Sequence, residues 1–293
     1  MEKINRYISC IVILTGILLA SIVVPLHAAI ETRTSTIDFY IKARGMMNQS
    51  KAGDLALLSE QNRLYFQGSE LYQASFDESS NFLGFSGELG IQLHRYSIGL
   101  EIGYLFRQFD TTVTMHGTAM AIENDYRLNR DSRLSVMPFF FNLQYRMVNT
   151  NFLKLNTLFG FGIFYATYKE QITETVNGMP YSQVDGELLA KTNFPGIRFG
   201  LGLELQLAKW FSIVADGYYQ IATFRRFKGD IRYRDSHHLF DEYYEGQLYF
   251  YTHESSGEGR FAIEGTLPEE WTGEEMKSNL TGINLSIGVK LTF

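Results

Sequence analysis

Cysteine is nearly absent from this chain. Cys10 is the sole one, and it lies within the first thirty residues. If that segment is removed on export, no thiol remains, which excludes disulfides, thiolate metal sites and cysteine catalysis. Long apolar runs are missing as well. Beyond residue 30 no stretch reaches the ~18 consecutive apolar residues of a spanning helix, and a mean hydropathy of -0.11 excludes a bundle of such helices. Basic residues are in deficit, 26 Lys and Arg against 32 Asp and Glu, for a net charge of -6. Nucleic acid is therefore not an expected partner, because phosphate backbones need clustered cations. Proline is scarce, at five. What the chain does have is 26 Gly, 18 Tyr and 23 Phe among 293 residues, with 45% hydrophobic and 20% charged. That balance is too apolar for a disordered chain and has room for one large domain or two small ones.

The N-terminus begins Met1-Glu2-Lys3-Ile4-Asn5-Arg6, runs apolar from about Tyr7 to Val24, and continues Pro25-Leu26-His27-Ala28-Ala29. A short basic start, an apolar middle and small residues after a helix breaker mark a secretory signal peptide, placed at 1–28. The competing reading is an uncleaved anchor, since the run sits near the lower limit for spanning. Both readings export the remainder, 29–293, as one expected domain. Cys10 falls inside the apolar run rather than after a cleavage box, which argues against a lipoprotein anchor.

The remainder alternates with period two. In 196–207, Ile197, Phe199, Leu201, Leu203, Leu205 and Leu207 share one parity, and Gly196, Arg198, Gly200, Gly202, Glu204 and Gln206 share the other. Only a strand sorts residues this way. The same sorting predicts eight strands, at about 35–46, 80–94, 96–110, 133–148, 152–170, 194–208, 210–226 and 279–293. Three features choose between a soluble β protein and a membrane barrel. Large residues share one face while Gly and charges share the other, which suits an apolar exterior around a narrow polar lumen. The strands exceed the usual globular length and are long enough to cross the hydrocarbon. Connections also alternate: tight turns at His94-Arg95-Tyr96, Val148-Asn149-Thr150-Asn151 and Ala208-Lys209-Trp210, long segments at about 47–79, 111–132, 171–193 and 227–278. The expected fold is an all-β transmembrane antiparallel up-and-down β-barrel, with long extracellular loops and short periplasmic turns. Tyr96, Phe106, Tyr145, Phe152, Tyr168, Phe194, Trp210 and Phe211 near strand ends are expected to form interfacial girdles.

Together with the signal peptide and strand count, the ending Gly288-Val289-Lys290-Leu291-Thr292-Phe293 resembles small bacterial outer-membrane barrels of the OmpA/OmpX/OmpW type. The resemblance implies that Ile287, Val289, Leu291 and Phe293 form the sorting signal read by the barrel-assembly machinery. It also implies an outer-membrane location, with lipid and lipopolysaccharide as surroundings. The segment 227–278 is longer than the smallest members carry. A hairpin of Glu245–Thr252 and Arg260–Gly265 within it either rises above the membrane or extends the barrel to ten strands.

Chemistry is sparsely signalled. Catalytic barrels, such as omptin-like proteases and lipid A-modifying enzymes, need a His near Asp or Ser on a strand wall. His27, His94, His116, His237, His238 and His253 are none of them clearly on such a wall. His237-His238 followed by Asp241-Glu242 lacks the spacing of a metal motif, so no metal or cofactor is expected. Gly160-Phe161-Gly162 and Gly200-Leu201-Gly202 lie inside strands, where inward glycines make room across the lumen. The lumen-facing charges Glu88, Glu101, Arg107, Arg146, Arg198, Glu204, Asp216 and Lys290 are expected to pair as a plug, because an unpaired buried charge costs several kcal/mol. The segment 227–278 is acidic and carries Tyr243, Tyr244, Tyr249, Phe250, Tyr251 and Trp271, which suits an extracellular ligand. The expected function is a non-enzymatic barrel with surface-loop binding or an envelope-integrity role. The alternative is a narrow porin-like pore for small or hydrophobic solutes, and an outer-membrane enzyme stands third.

Overall fold

The computed structural model describes residues 37–50, 53–67, 72–78, 81–119, 122–176, 183–235, 241–256, 259–264 and 271–293. The expected signal peptide lies outside them. The strands are β1 (Ile37–Gln49), β2 (Tyr72–Glu78), β3 (Phe82–Leu93), β4 (Tyr96–Ala119), β5 (Ile122–Asn149), β6 (Leu153–Val176), β7 (Gln183–Ala208), β8 (Phe211–Ile221), β9 (Thr223–Phe224), β10 (Lys228–Asp235), β11 (Asp241–His253), β12 (Gly259–Ile263), β13 (Trp271–Glu275), β14 (Ser278–Asn279) and β15 (Gly282–Thr292). One helix, α1 (Asp54–Gln67), follows β1. Eight strands form a closed antiparallel ring in the order β1-β3-β4-β5-β6-β7-β8-β15, and β15 pairs back onto β1 from Tyr40↔Thr292 to Gln49↔Ile283. Closure leaves no free edge within the ring, as a barrel in lipid requires.

The described residues of two expected long loops are strand. Residues 111–119 and 122–132 extend β4 and β5, and 171–176 and 183–193 extend β6 and β7, with pairing up to Ala119↔Ile122 and Thr175↔Gln183. The segment 47–79 holds α1 and β2 rather than loop alone, and β2 pairs with the upper part of β4. The expected hairpin in 227–278 is present as β11 and β12, paired from Leu248↔Ile263 to Thr252↔Gly259. It does not enlarge the ring to ten strands. β10 instead pairs with the upper half of β7 through Lys191, and β8 takes over that edge from Ile197 downward. The barrel thus carries a raised sheet on the side opposite its tight turns.

The reason those segments read as loops lies in the environment outside the wall. On β5 the outward row is Tyr145, Leu143, Phe141, Phe139 and Met137 from the turn end upward, then Ser135, Arg133 and Asp131. The inward row of the same strand runs Arg146, Gln144, Asn142, then Phe140, Val136 and Leu134, then Ser132 and Arg130. The backbone alternation never changes, yet the apolar residues move from the outer to the inner face with height. β4 repeats this: Leu100, Ile102, Tyr104 and Phe106 face out before Gln108 and Asp110, while Glu101 faces in below Leu105 and Phe109. The outer apolar stretch from Ile98 to Phe106 covers about nine residues, near the ~9–11 a tilted strand needs to cross hydrocarbon.

From the upper half of the membrane-spanning zone upward the barrel is filled like a soluble core. Phe82, Leu105, Leu134, Val136, Phe140, Phe164, Tyr168, Phe224, Phe227 and Leu248 are all buried there. Phe164 packs edge-on against both Phe140 and Phe224, with centroids 5.1 and 5.9 Å apart, a favoured arrangement for aromatic pairs. α1 adds Leu55 and Leu58 to this core. Its start is tied to the raised sheet: the Asp54 amide donates to the Lys277 carbonyl at 2.9 Å, and the Lys277 amide donates to Asp54 Oδ2 at 2.5 Å. Burial pushes the Asp54 carboxyl above its ordinary range. Gly53 just before it has φ +63°, and a Cβ there would lie 2.7 Å from the Lys277 carbonyl oxygen, so glycine is required.

The girdle expectation needs one correction. Trp210 and Phe152 are highly exposed at the turn end, and Tyr96 stacks beside Tyr145. Tyr168 and Phe194, however, point inward: Tyr168 is fully buried against Phe261, and Phe194 packs on the inner core. Both lie above the level where the faces exchange chemistry. The facing assignment itself predicts unequal effects of one charge on β7. Leu203→Arg, outward at mid-barrel, is expected to cost ~2–4 kcal/mol in a folding titration into lipid, and Gln206→Arg, on the inward row near the turn end, well under half of that. Equal costs would reverse the assignment.

Candidate functional site

The lower lumen is built by the inward rows of the eight ring strands. β1 contributes Tyr40, Lys42 and Arg44, which the strand pattern of 35–46 contained but the expected site omitted. Reading that strand by parity, Phe39 and Ile41 against Tyr40 and Lys42, would have found them. Arg44 is the centre. Its Nη1 donates to Asp216 Oδ2 at 2.6 Å, and its Nη2 donates to Glu88 Oε2 at 2.8 Å and to Glu101 Oε2 at 2.6 Å. Arg198 grips Glu101 with both terminal nitrogens and also donates to Asn142 Oδ1. Lys42 Nζ lies 3.5 Å from Glu88 Oε1 and donates to Gln144 at 3.0 Å. The Tyr40 hydroxyl donates to Glu88 Oε1 at 2.6 Å. Three cations thus meet three carboxylates, Lys42, Arg44 and Arg198 against Glu88, Glu101 and Asp216, all with almost no exposed side chain.

The glycines make this packing feasible. A Cβ on Gly160 would fall 2.7 Å from Asn142 Oδ1 and 2.9 Å from Arg198 Nε, so the guanidinium passes where any side chain would stand. The Arg198 guanidinium is also sandwiched between the Phe140 and Tyr218 rings, 4.1 and 4.7 Å from their centroids. It therefore joins the polar layer below to the apolar core above.

The other expected charges sit elsewhere. Lys290 donates to Glu204 Oε2 at 2.9 Å and to Gln92 at 3.1 Å, and Lys154 donates to Glu204 Oε1 at 3.0 Å, forming a second cluster nearer the turns. Arg146 joins it through Gln92 at 2.6 Å. Arg107 lies apart, near the top of the barrel, donating to the Ser50 carbonyl and stacked over Phe82 and Phe109. On the β3 and β15 walls, Ser86 Oγ, Ser286 Oγ and both polar atoms of Asn284 have no protein partner, which suits ordered water at that side of the lumen. Ile287, Val289 and Phe293 are exposed on the outer face and Leu291 is half-buried. Phe293 exchanges two backbone hydrogen bonds with Phe39, so the last residue completes the ring.

The raised sheet differs from the expected binding segment in two residues. Phe250 is buried against Phe261, with centroids 5.5 Å apart, and Tyr244 packs on the inner core. The outward row of β11 retains Tyr243, Glu245, Tyr249 and Tyr251, with β13 alongside carrying Trp271 against His253. Among the described histidines, His253 meets hydroxyls: its Nδ1 lies 3.2 and 3.1 Å from Ser255 and Ser256 Oγ and accepts the Ser256 amide. This is a local cap on an exposed turn. His237 and His238 lie outside the described residues, and among the described residues no group of three or more His, Cys, Asp and Glu could hold a metal.

No protein-family model matches the sequence, and no curated protein matches it. Solved structures with a similar strand arrangement include the outer membrane protease OmpT from Escherichia coli, at 12% identity over 90% of this chain and 99% of that chain, TM-score 0.33. A major outer membrane protein from Thermus thermophilus matches at 11% identity over 88% and 100%, TM-score 0.36. Ail, the attachment invasion locus protein of Yersinia pestis in complex with the heparin analogue sucrose octasulfate, matches at 9% over 89% and 100%, TM-score 0.35. The assignment of this chain as a membrane-spanning eight-stranded barrel rests on its own pairings and facing.

Arg44 holds three buried carboxylates, so its loss leaves charge uncompensated. Arg44→Met is expected to destabilise the barrel by ~3–5 kcal/mol in a folding titration. Arg63→Met, which removes a half-exposed pair with Glu60 on α1, is expected to change stability by ~0–1 kcal/mol.

Proposed function

We propose that this chain is a non-enzymatic bacterial outer-membrane barrel whose lumen is a structural plug and whose raised extracellular sheet carries its binding role. The observation that carries this reading is the double filling of the lumen. Arg44, Arg198 and their carboxylates cross the lower barrel, and an apolar core with Leu55 and Leu58 of α1 fills the space above. An ion following the axis would have to break a network of matched buried charges and then pass an apolar layer, each costly in a low-dielectric interior. Export through residues 1–28 as a cleaved signal peptide fits this location. So does reading of the outward row Ile287, Val289, Leu291 and Phe293 by the barrel-assembly machinery, since that row is displayed on the closing strand.

The recognition surface is the outer face of β11 and its neighbours. Tyr243 is 59% exposed, Tyr249 and Tyr251 stack at 5.9 Å, and Arg260 sits 5.4 Å from the Trp271 ring. Rigid aromatics on a sheet supply contact area at little entropic cost, and Glu245 beside them favours a cationic partner. Reconstituted into a planar bilayer, the folded protein is expected to leave the conductance at the bare-membrane level. Reproducible unit steps, abolished on unfolding, would replace the plug with a pore.

A further inference from the structure

On the outer face of the raised sheet Arg232 and Arg234 of β10 stand across from Glu187 and Asp185 of β7, whereas Asp230 of β10 stands across from the like-charged Glu245 of β11. Arg232 also donates to Asp241 at 2.9 and 2.7 Å. Lower on β10 and β7 two cations meet. Lys228 stands directly across from Lys191, and both are exposed. Like charges directly opposite on one face of a sheet repel. Arg225 and Arg226 are exposed beside them, and the four cations with Thr192, Asn193 and Phe194 line a cavity of about 540 Å³. Among the described residues none of the four is in an ion pair, and the nearest carboxylate on the β10 outer row, Asp230, is half-buried opposite Leu189.

The position of this cavity follows from the strand pairing. It lies where β7 exchanges one neighbour for another, between the β10 pairing that ends at Lys191 and the β8 pairing that begins at Ile197. The chain from β9 to β10 bridges that fork, and the Thr192 hydroxyl pins it by donating to the Arg225 carbonyl at 2.7 Å. Arg226 follows at φ +57°, a left-handed conformation that an arginine rarely adopts, and its side chain lines the cavity. The height is equally specific. Directly below, the outward row of β7 is Pro195, Ile197, Phe199 and Leu201, and Tyr165, 48% exposed, stands across from Asn193. The cavity therefore opens at the upper edge of the apolar belt, where headgroups lie.

We infer that Lys191, Arg225, Arg226 and Lys228 form a binding site for the phosphorylated headgroup of an outer-leaflet glycolipid, whose acyl chains rest on the belt below. Paired phosphates on a sugar supply the anionic charge that the Lys191–Lys228 opposition lacks, and arginine and lysine bond phosphate oxygens strongly. The inference rests on the membrane-spanning reading proposed above. It is tested with the folded protein in non-ionic detergent, offered diphosphoryl lipid A, its dephosphorylated form and inorganic pyrophosphate, with bound ligand counted by native mass spectrometry. Wild type is expected to retain the diphosphoryl lipid at least tenfold better than the dephosphorylated form. The Lys191→Gln/Lys228→Gln variant is expected to lose at least tenfold, and an Arg95→Gln/Lys209→Gln variant at the turn end to match wild type. Equal retention by wild type and the first variant overturns the site, and pyrophosphate bound as tightly as the lipid overturns the lipid as its ligand. Detergent dependence is read in parallel: a chain that stays dispersed without detergent overturns the membrane reading, whereas lost retention in a detergent-bound barrel bears on the site alone.

Discussion

A strand cannot choose which of its side chains face together; parity decides that once, for its whole length. In this barrel the strands outlast the membrane, so a single parity must serve two solvents. Against acyl chains the outward row has to be apolar, and the inward row takes the polar atoms that lipid would not tolerate. Above the headgroups the outward row meets water and the inward row becomes the only place to bury apolar surface. β5 passes through both regimes on one alternation, from Tyr145 and Asn142 below to Arg133 and Leu134 above. Every later feature of the molecule follows from that exchange.

The exchange divides the interior into two fillings with different energetics. Below, charges are buried in a narrow lumen, and they are tolerable because each is matched. Arg44 alone contacts Glu88, Glu101 and Asp216, and Arg198 closes the group through Glu101 and Asn142. Such a network contributes little net stability over apolar packing, but it penalises any register in which one member is displaced. Above, aromatics and Leu side chains drive burial directly. Arg198 belongs to both fillings, ion-paired on its polar edge and stacked between Phe140 and Tyr218 on its faces.

The boundary level also organises the exterior. Aromatic side chains and the last apolar residues mark where lipid ends, and the fork between β10 and β8 on the edge of β7 falls at the same height. A sheet that splits must leave backbone and side chains without their usual cross-strand neighbours. Here that gap is lined by cations on the outer face and bridged from within by Phe224 and Phe227, both fully buried. The raised sheet can thereby stand above the barrel without breaking the closed ring beneath it.

Residue order by itself determined the barrel: the eight ring strands, the tight turns, the outward apolar row of β7 and β15, and burial of Glu88, Glu101, Arg198 and Lys290 were all legible as period-two patterning in a lipid-facing segment. What it left to the tertiary structure is as physical as what it specified. The segments 111–132 and 171–193 read as loops because the apolar parity shifts there, and a shift of parity in sequence looks the same as the end of a strand. α1 was hidden because its apolar residues are not sorted onto one face, Leu55 and Leu58 being buried while Leu57 and Leu64 are exposed, and β2 because it is short and is held only by pairing with the top of β4. The partners of each charge were equally out of reach, since Arg44 meets Asp216 across 172 positions of chain, and so was the convergence of Lys191 with Lys228. Alternation is a local property that a short window reveals, whereas which strand returns beside which, and at what height the solvent changes, is decided only once the ring has closed.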